Sequence, residues 1–351
     1  MKHVLVALLA AIACTPALSV AQAVRPPLLS ARGRADEPDR SRLRLPMLLV
    51  GTGVEAAAIS TGQLIPYLGA GHAAAGRWGH AASYAAGEVG LIALRRSLIK
   101  RVGASDVRRY PNVDSDTLSV RSGGVSPSRY AVFRLADHAY HTAYYLRMID
   151  LGSAYQYAQA RSRLSTTIMD QSSPARLALA PVHPRDLSSA WVAVPIALAG
   201  ASGLMAPRSR RPLSQVSEMT VLGTRMSKVP GTLLALGYEA TYLLSTAIGE
   251  ELFFRGVMQT EMEDRYGRSK GVAVSTAAFS AFHVPNHGVK GALISGVAGA
   301  YLGYRYSKNG YNLREVIATH FWIDFLPGVV QIMRDPRSGR SVSEVRWPSR
   351  D

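Results

Sequence analysis

The chain has 351 residues, and 40 Lys and Arg against 24 Asp and Glu leave a net charge of +16, on a composition 48% apolar and 18% charged. This pairing excludes a disordered basic tail, which would be poorer in apolar residues, and argues against a nucleic-acid partner, whose binding domains carry more charge overall. It fits cations placed in blocks between long uncharged stretches, the pattern of a membrane protein whose basic blocks face anionic lipid headgroups.

The N-terminus begins Met1-Lys2-His3, continues through an apolar run, and reaches Ala21-Gln22-Ala23, a small-x-small cleavage site. Residues 1–23 therefore read as a secretory signal. The single cysteine, Cys14, lies within it, so neither a disulfide framework nor a thiolate zinc site is expected. Arg25, Arg32, Arg34, Arg40, Arg42 and Arg44 mark the next segment as an exposed arm. Apolar stretches of suitable length for membrane spans follow at 46–68, 80–99, 187–206, 230–258, 272–285, 289–306 and 313–333.

Residues 100–186 differ in character, being rich in Ser, Arg and Asp and punctuated by proline. Within them 130–157 mixes Tyr, Ala and Leu with Arg134, Asp137, His138, His141, Arg147 and Asp150, which predicts an amphipathic helix at the membrane surface. The expected organisation is a signal at 1–23 and an N-terminal region at 24–186, with two membrane helices and this polar segment. A helical core at 187–333 and a basic tail at 334–351 complete it. The fold class is all-α, a polytopic membrane bundle whose core has about four to five helices of spanning length.

The polar residues inside the C-terminal stretches carry the chemistry, because an ionisable side chain at membrane depth costs about 2.5–3.5 kcal/mol and usually meets a cavity or a partner. Gly249-Glu250-Glu251-Leu252-Phe253-Phe254-Arg255 comes first. Glu251 and Arg255 are four apart and share a helix face, where they can pair. Glu250 is turned about 100° away from that pair. A carboxylate outside the pair is a candidate base toward water. Phe279 and His283 follow, then His320 and Asp324, each pair at i,i+4 and so on one face.

Glu-Glu-x-x-x-Arg, then Phe-x-x-x-His, then His-x-x-x-Asp on successive helices resembles the CPBP intramembrane protease family, which includes the CAAX prenyl endopeptidases and the bacterial Abi-type proteins. The resemblance covers roughly 187–333. It implies an intramembrane endopeptidase in which Glu250 activates water, His283 helps hold and deprotonate it, and His320 with Asp324 stabilises the oxyanion. Glu251 and Arg255 position the helix, and Phe279 is a substrate contact. Asp324 stands where the prenyl endopeptidases have Asn. It could donate to the oxyanion as a neutral acid or, ionised, orient His320. The resemblance leaves metal dependence open: Glu250, His283 and His320 form a conceivable zinc set. The zincin signature His-Glu-x-x-His is absent.

The implied substrate is a membrane protein or lipid-associated peptide, and the implied location an integral one in a bacterial inner membrane. Two other functional classes compete: a catalytically silent scaffold or chaperone-like partner, and a transporter that relays protons through the buried acids and imidazoles. Other features read as structure. Gly291, Ser295, Gly299 and Gly303 form a stripe of small residues for helix packing. Glu55 and Glu88 read as acids buried against a neighbour, and His138 and His141 as part of a solvated face.

Overall fold

In the computed structural model the described residues, 66–102, 127–160, 169–205, 218–221 and 224–334, are almost entirely helical. The expected signal, Cys14, the arginine arm, Glu55, nearly all of the first expected span and the tail beyond 334 lie outside these residues. In chain order come α1 (Ala70–Ala74), α2 (Trp78–Val102), α3 (Pro127–Ala160), α4 (Pro174–Ala178), α5 (Pro184–Leu187) and α6 (Ala190–Met205). A hairpin of β1 (Glu218–Val221) and β2 (Thr224–Ser227) leads into α7 (Lys228–Glu250). A π-helical stretch at Glu251–Gln259 joins α7 to α8 (Thr260–Tyr266), and α9 (Arg268–Phe282), α10 (Val284–Lys308) and α11 (Leu313–Arg334) complete the order.

The antiparallel hairpin pairs Glu218 with Ser227 and Val221 with Thr224, a small departure from the all-α expectation. Among the described residues no helix is long and apolar enough to cross a membrane. The stretches expected to span from 80 onward differ from that expectation in two physical ways. The stretch at 187–206 yields α6, a helix of 16 residues. At about 1.5 Å per residue it rises roughly 24 Å, short of a bilayer core of about 30 Å. The longer helices are diluted: α2 ends in Arg95, Arg96 and Lys100, and α11 carries Arg314, Glu315, His320 and Asp324.

The described residues form two compact units, each drawn from segments far apart in sequence: those within 1–89, 144–187 and 247–318 in one, and those within 90–143, 188–246 and 319–351 in the other. Both take residues from either side of 186. In the first, all nine residues of the π-helical stretch are buried. Ser275 on α9 donates to the Phe254 carbonyl at 2.8 Å. Gln259 donates to the Gly303 carbonyl of α10 at 2.8 Å. Gly299 and Gly303 permit this approach, since a Cβ at either would lie 2.9 Å from the Phe279 ring or the Gln259 side chain. The small-residue stripe is thus a packing seam at these two positions.

In the second unit, Tyr238 of α7 donates to the Arg134 carbonyl of α3 at 2.9 Å. α6 meets α11 with Gly200 against Leu326 and Gly203 against Pro327 and Val330.

α3 is where the structure departs most from expectation. Ala139, Ala143, Ala154, Tyr155 and Ala158 are fully buried, and so is His138, so α3 is a core helix and not a surface one. Its small residues let neighbours close in, and its polar side chains tie down nearby segments. Asp150 accepts from the Gly71 amide at 2.8 Å and contacts His72 Nδ1 at 2.5 Å. Gln156 donates to the Asp170 carbonyl, and Gln159 accepts from the Met169 amide. His138 packs against the Tyr238 ring, and His141 contacts Thr246 Oγ1 at 2.8 Å, so neither belongs to a solvated face. Glu88 is structural, accepting from the amides of Tyr67 and Leu68.

Candidate active site

The end of α7 and the π-helical stretch deliver two neighbouring carboxylates to different partners. A π-helix bonds i to i+5 and holds more residues per turn than an α-helix, and such stretches recur at functional sites. This one begins at Glu251, directly after Glu250. Glu250 is 1% exposed, Glu251 and Arg255 are fully buried. Arg255 Nη1 lies 3.1 Å from Glu251 Oε1, as the four-residue spacing predicts. The guanidinium also donates through Nη2 to the Gly299 carbonyl at 3.2 Å and sits 4.4 Å over the Phe279 ring. A desolvated cation over an aromatic face contributes up to about 2 kcal/mol. Arg255 therefore clamps Glu251, α9 and α10 together.

Glu250 takes a different partner. Its Oε1 accepts a hydrogen bond from the Tyr145 hydroxyl of α3 at 2.6 Å. Tyr145 lies in the segment expected at the membrane surface and was not among the expected site residues. The available signal was the concentration of tyrosines along 130–157 beside small residues, the composition of a helix that packs closely and donates from its rings.

Phe279, expected to contact substrate, is 3% exposed and packs with Phe254 edge-on at 5.2 Å, His283 at 4.5 Å and Arg255 above. His283 sits at the junction of α9 and α10, half-buried. Its Nδ1 lies 2.7 Å from the Phe279 carbonyl. A carbonyl can only accept, so Nδ1 carries the proton and, in the neutral ring, Nε2 carries the lone pair. His287, from which no function was read, stacks on His283 with centroids 5.5 Å apart. Gly288, with φ at 62°, breaks α10 just beyond it, which keeps this first turn separate from the long helix.

In the other unit, His320 and Asp324 share a face of α11, with Nε2 3.3 Å from Asp324 Oδ2. His320 is buried, whereas the Asp324 side chain is 43% exposed. Among the described residues no group of three or more His, Cys, Asp or Glu side chains could hold a metal ion.

Residues 232–326 match the family described as Type II CAAX prenyl endopeptidase Rce1-like. Comparison with curated proteins and with solved structures gave no match. The matched segment contains all three motifs, while α3 and Tyr145 lie outside it. Residues 232–326 are therefore Rce1-like, in keeping with the CPBP resemblance that the motifs carry.

Proposed function

We propose that the protein is an integral-membrane endopeptidase that hydrolyses a peptide bond in or near the membrane, with Glu250 as the base. The observation that carries this reading is the division of labour in Glu250-Glu251 within an Rce1-like segment: Glu251 is bound by Arg255, and Glu250 accepts from a neutral phenol. Glu251, like Glu88 and Glu261, serves to hold its neighbours, and Glu250 is the carboxylate of the pair that Arg255 does not bind through an ion pair at 3.1 Å.

In this reading Glu250 takes a proton from water as the water oxygen attacks the scissile carbonyl. His283, with Nδ1 committed to the Phe279 carbonyl, presents Nε2 as the acceptor that holds the attacking water. The proton taken by Glu250 passes to the leaving amine as the intermediate collapses. The His320–Asp324 pair supplies the oxyanion site, a role that rests on the family resemblance. The contact at 3.3 Å favours Asp324 as the group that orients His320 over a direct donor to substrate. Losing one oxyanion donor typically slows such reactions on the order of 100- to 1000-fold. The substrate class is a membrane-anchored or lipid-modified peptide, for which a farnesylated CAAX peptide is the natural first probe given the family description.

The test uses the full chain in proteoliposomes with an internally quenched farnesylated CAAX peptide. Wild type cleaves it, and Glu250→Gln and His283→Ala lose cleavage while remaining folded and membrane-bound. Cleavage at the wild-type rate by both variants would end the protease reading. The alternatives remain a silent scaffold and a proton-relaying transporter, and a proton flux abolished by Glu250→Gln without any peptide cleavage would select the latter.

A further inference from the structure

We infer that Tyr145 is a positioning residue for the Glu250 base, so that α3, outside the Rce1-like segment, belongs to the hydrolytic site. The inference rests on the protease reading above. Tyr145 and Glu250 lie 105 positions apart, both are buried, and the hydroxyl meets Oε1 at 2.6 Å. A hydrogen bond to a charged acceptor at that distance is among the stronger kinds, roughly twice a neutral one.

A second observation is independent of the hydroxyl. A Cβ on Gly249 would lie 2.7 Å from Tyr145 Cδ1 and 3.1 Å from its Cβ. The tyrosine ring therefore lies against the backbone one residue before the base, in space that any side chain at 249 would occupy. Gly249 admits the ring, and the ring brings the hydroxyl to Glu250.

The same helix contains an internal comparison. Ten residues on, Tyr155 donates to Glu261 Oε2, also at 2.6 Å. Glu261 additionally receives Arg265 Nε at 2.8 Å, so a cation completes that contact. Tyr155 thus joins a structural ion pair, whereas Tyr145 meets the carboxylate proposed as the base. With Oε1 held by the phenol, the carboxylate is oriented as it takes the proton from water. The water oxygen forms the new bond to carbon, the carbonyl electrons move onto the oxyanion, and Tyr145 keeps its own proton throughout.

The experiment compares Tyr145→Phe, Gly249→Ala and Tyr155→Phe in the full chain, in proteoliposomes with the farnesylated CAAX peptide. Tyr145→Phe keeps the ring and loses the hydroxyl. Its kcat falls on the order of 10- to 100-fold with KM within about twofold, the scale of a misplaced catalytic group. Gly249→Ala, which displaces the ring, changes kcat in the same direction. Tyr155→Phe lowers the thermal midpoint as much as Tyr145→Phe does but keeps wild-type kcat. Wild-type kcat in Tyr145→Phe, or an equal loss in Tyr155→Phe, overturns the inference.

A second readout needs no substrate. The rate at which dicyclohexylcarbodiimide modifies Glu250, followed by peptide mass spectrometry, rises in Tyr145→Phe and stays unchanged in Tyr155→Phe. A rate indifferent to Tyr145 removes the contact and the inference with it. A wild type that never cleaves the peptide, while Glu250 labelling still depends on Tyr145, rejects the protease reading and Tyr145's hydrolytic role but keeps the contact.

Discussion

Two adjacent glutamates at the end of α7 have opposite requirements. Glu251 and Arg255 are fully buried and paired, and removing one partner of such a pair typically costs about 3–5 kcal/mol because the other is left as an uncompensated charge. Glu251→Ala and Arg255→Ala should each reduce folded protein sharply, as read by detergent-extracted yield and thermal unfolding. Replacing both at once, Glu251→Met with Arg255→Leu, should recover much of that yield, since an apolar pair carries no buried charge. Glu250→Gln should behave differently, with unfolding near wild type and peptide cleavage at least 100-fold lower, the order expected for loss of a general base. A Glu250→Gln variant that unfolds as readily as Glu251→Ala would assign Glu250 to structure.

Among the helices, the π-helical stretch is the hub of its unit. It is buried along its whole length and meets α9 and α10 through Phe254, Arg255 and Gln259. Gly299 sits at a close approach, where an added Cβ would lie 2.9 Å from the Phe279 ring and 3.5 Å from Arg255 Nη2. Gly299→Ala should therefore destabilise by about 1–3 kcal/mol, the usual cost of overpacking, and lower the thermal midpoint. Gly237→Ala supplies the contrast. An added Cβ on this α7 residue meets nothing within 4 Å, and Ala exceeds Gly in a helix interior by roughly 0.5–1 kcal/mol, so that variant should be slightly stabilised. A destabilised Gly237→Ala would mean that its face is covered by something outside the described residues.

For the whole molecule the membrane question rests on outward faces more than on single helices. No described helix is long and apolar enough to cross a membrane, yet large apolar side chains point outward on several. On α10, Leu293, Ile294 and Val297 are 64–75% exposed, and on α6, Trp191, Val194 and Leu198 are 50–67% exposed. Contiguous exposed apolar surface of this kind marks a membrane or protein interaction site. Together with the Rce1-like segment, these faces support integral membrane placement. The full chain should stay in the membrane pellet through an alkaline carbonate wash and leave it in detergent, checked by immunoblot of the two fractions. Release by carbonate alone would reduce the association to a peripheral one.

Much of the site was legible in the sequence because its informative contacts are local. Glu251 reaches Arg255, His283 reaches the Phe279 carbonyl and His320 reaches Asp324 one helical turn away, so spacing alone determined that each pair shares a face. The helical class was legible for the same reason, since hydrophobic content and the scarcity of breakers inside the stretches are local properties. Span length was misjudged, because an apolar run of 20 residues at 187–206 ends as a helix of 16.

What only the tertiary structure decided is what lies across from each face. Arg134, His138 and Asp150 look the same in sequence on a solvated helix as on a buried one, and only the tyrosines beside small residues along α3 point to its burial. The Tyr145–Glu250 contact joins residues 105 apart, and no periodicity within a helix encodes the identity of its neighbour. The sequence alone determined which residues could do the chemistry. The packing of α3 determined what holds Glu250 in place.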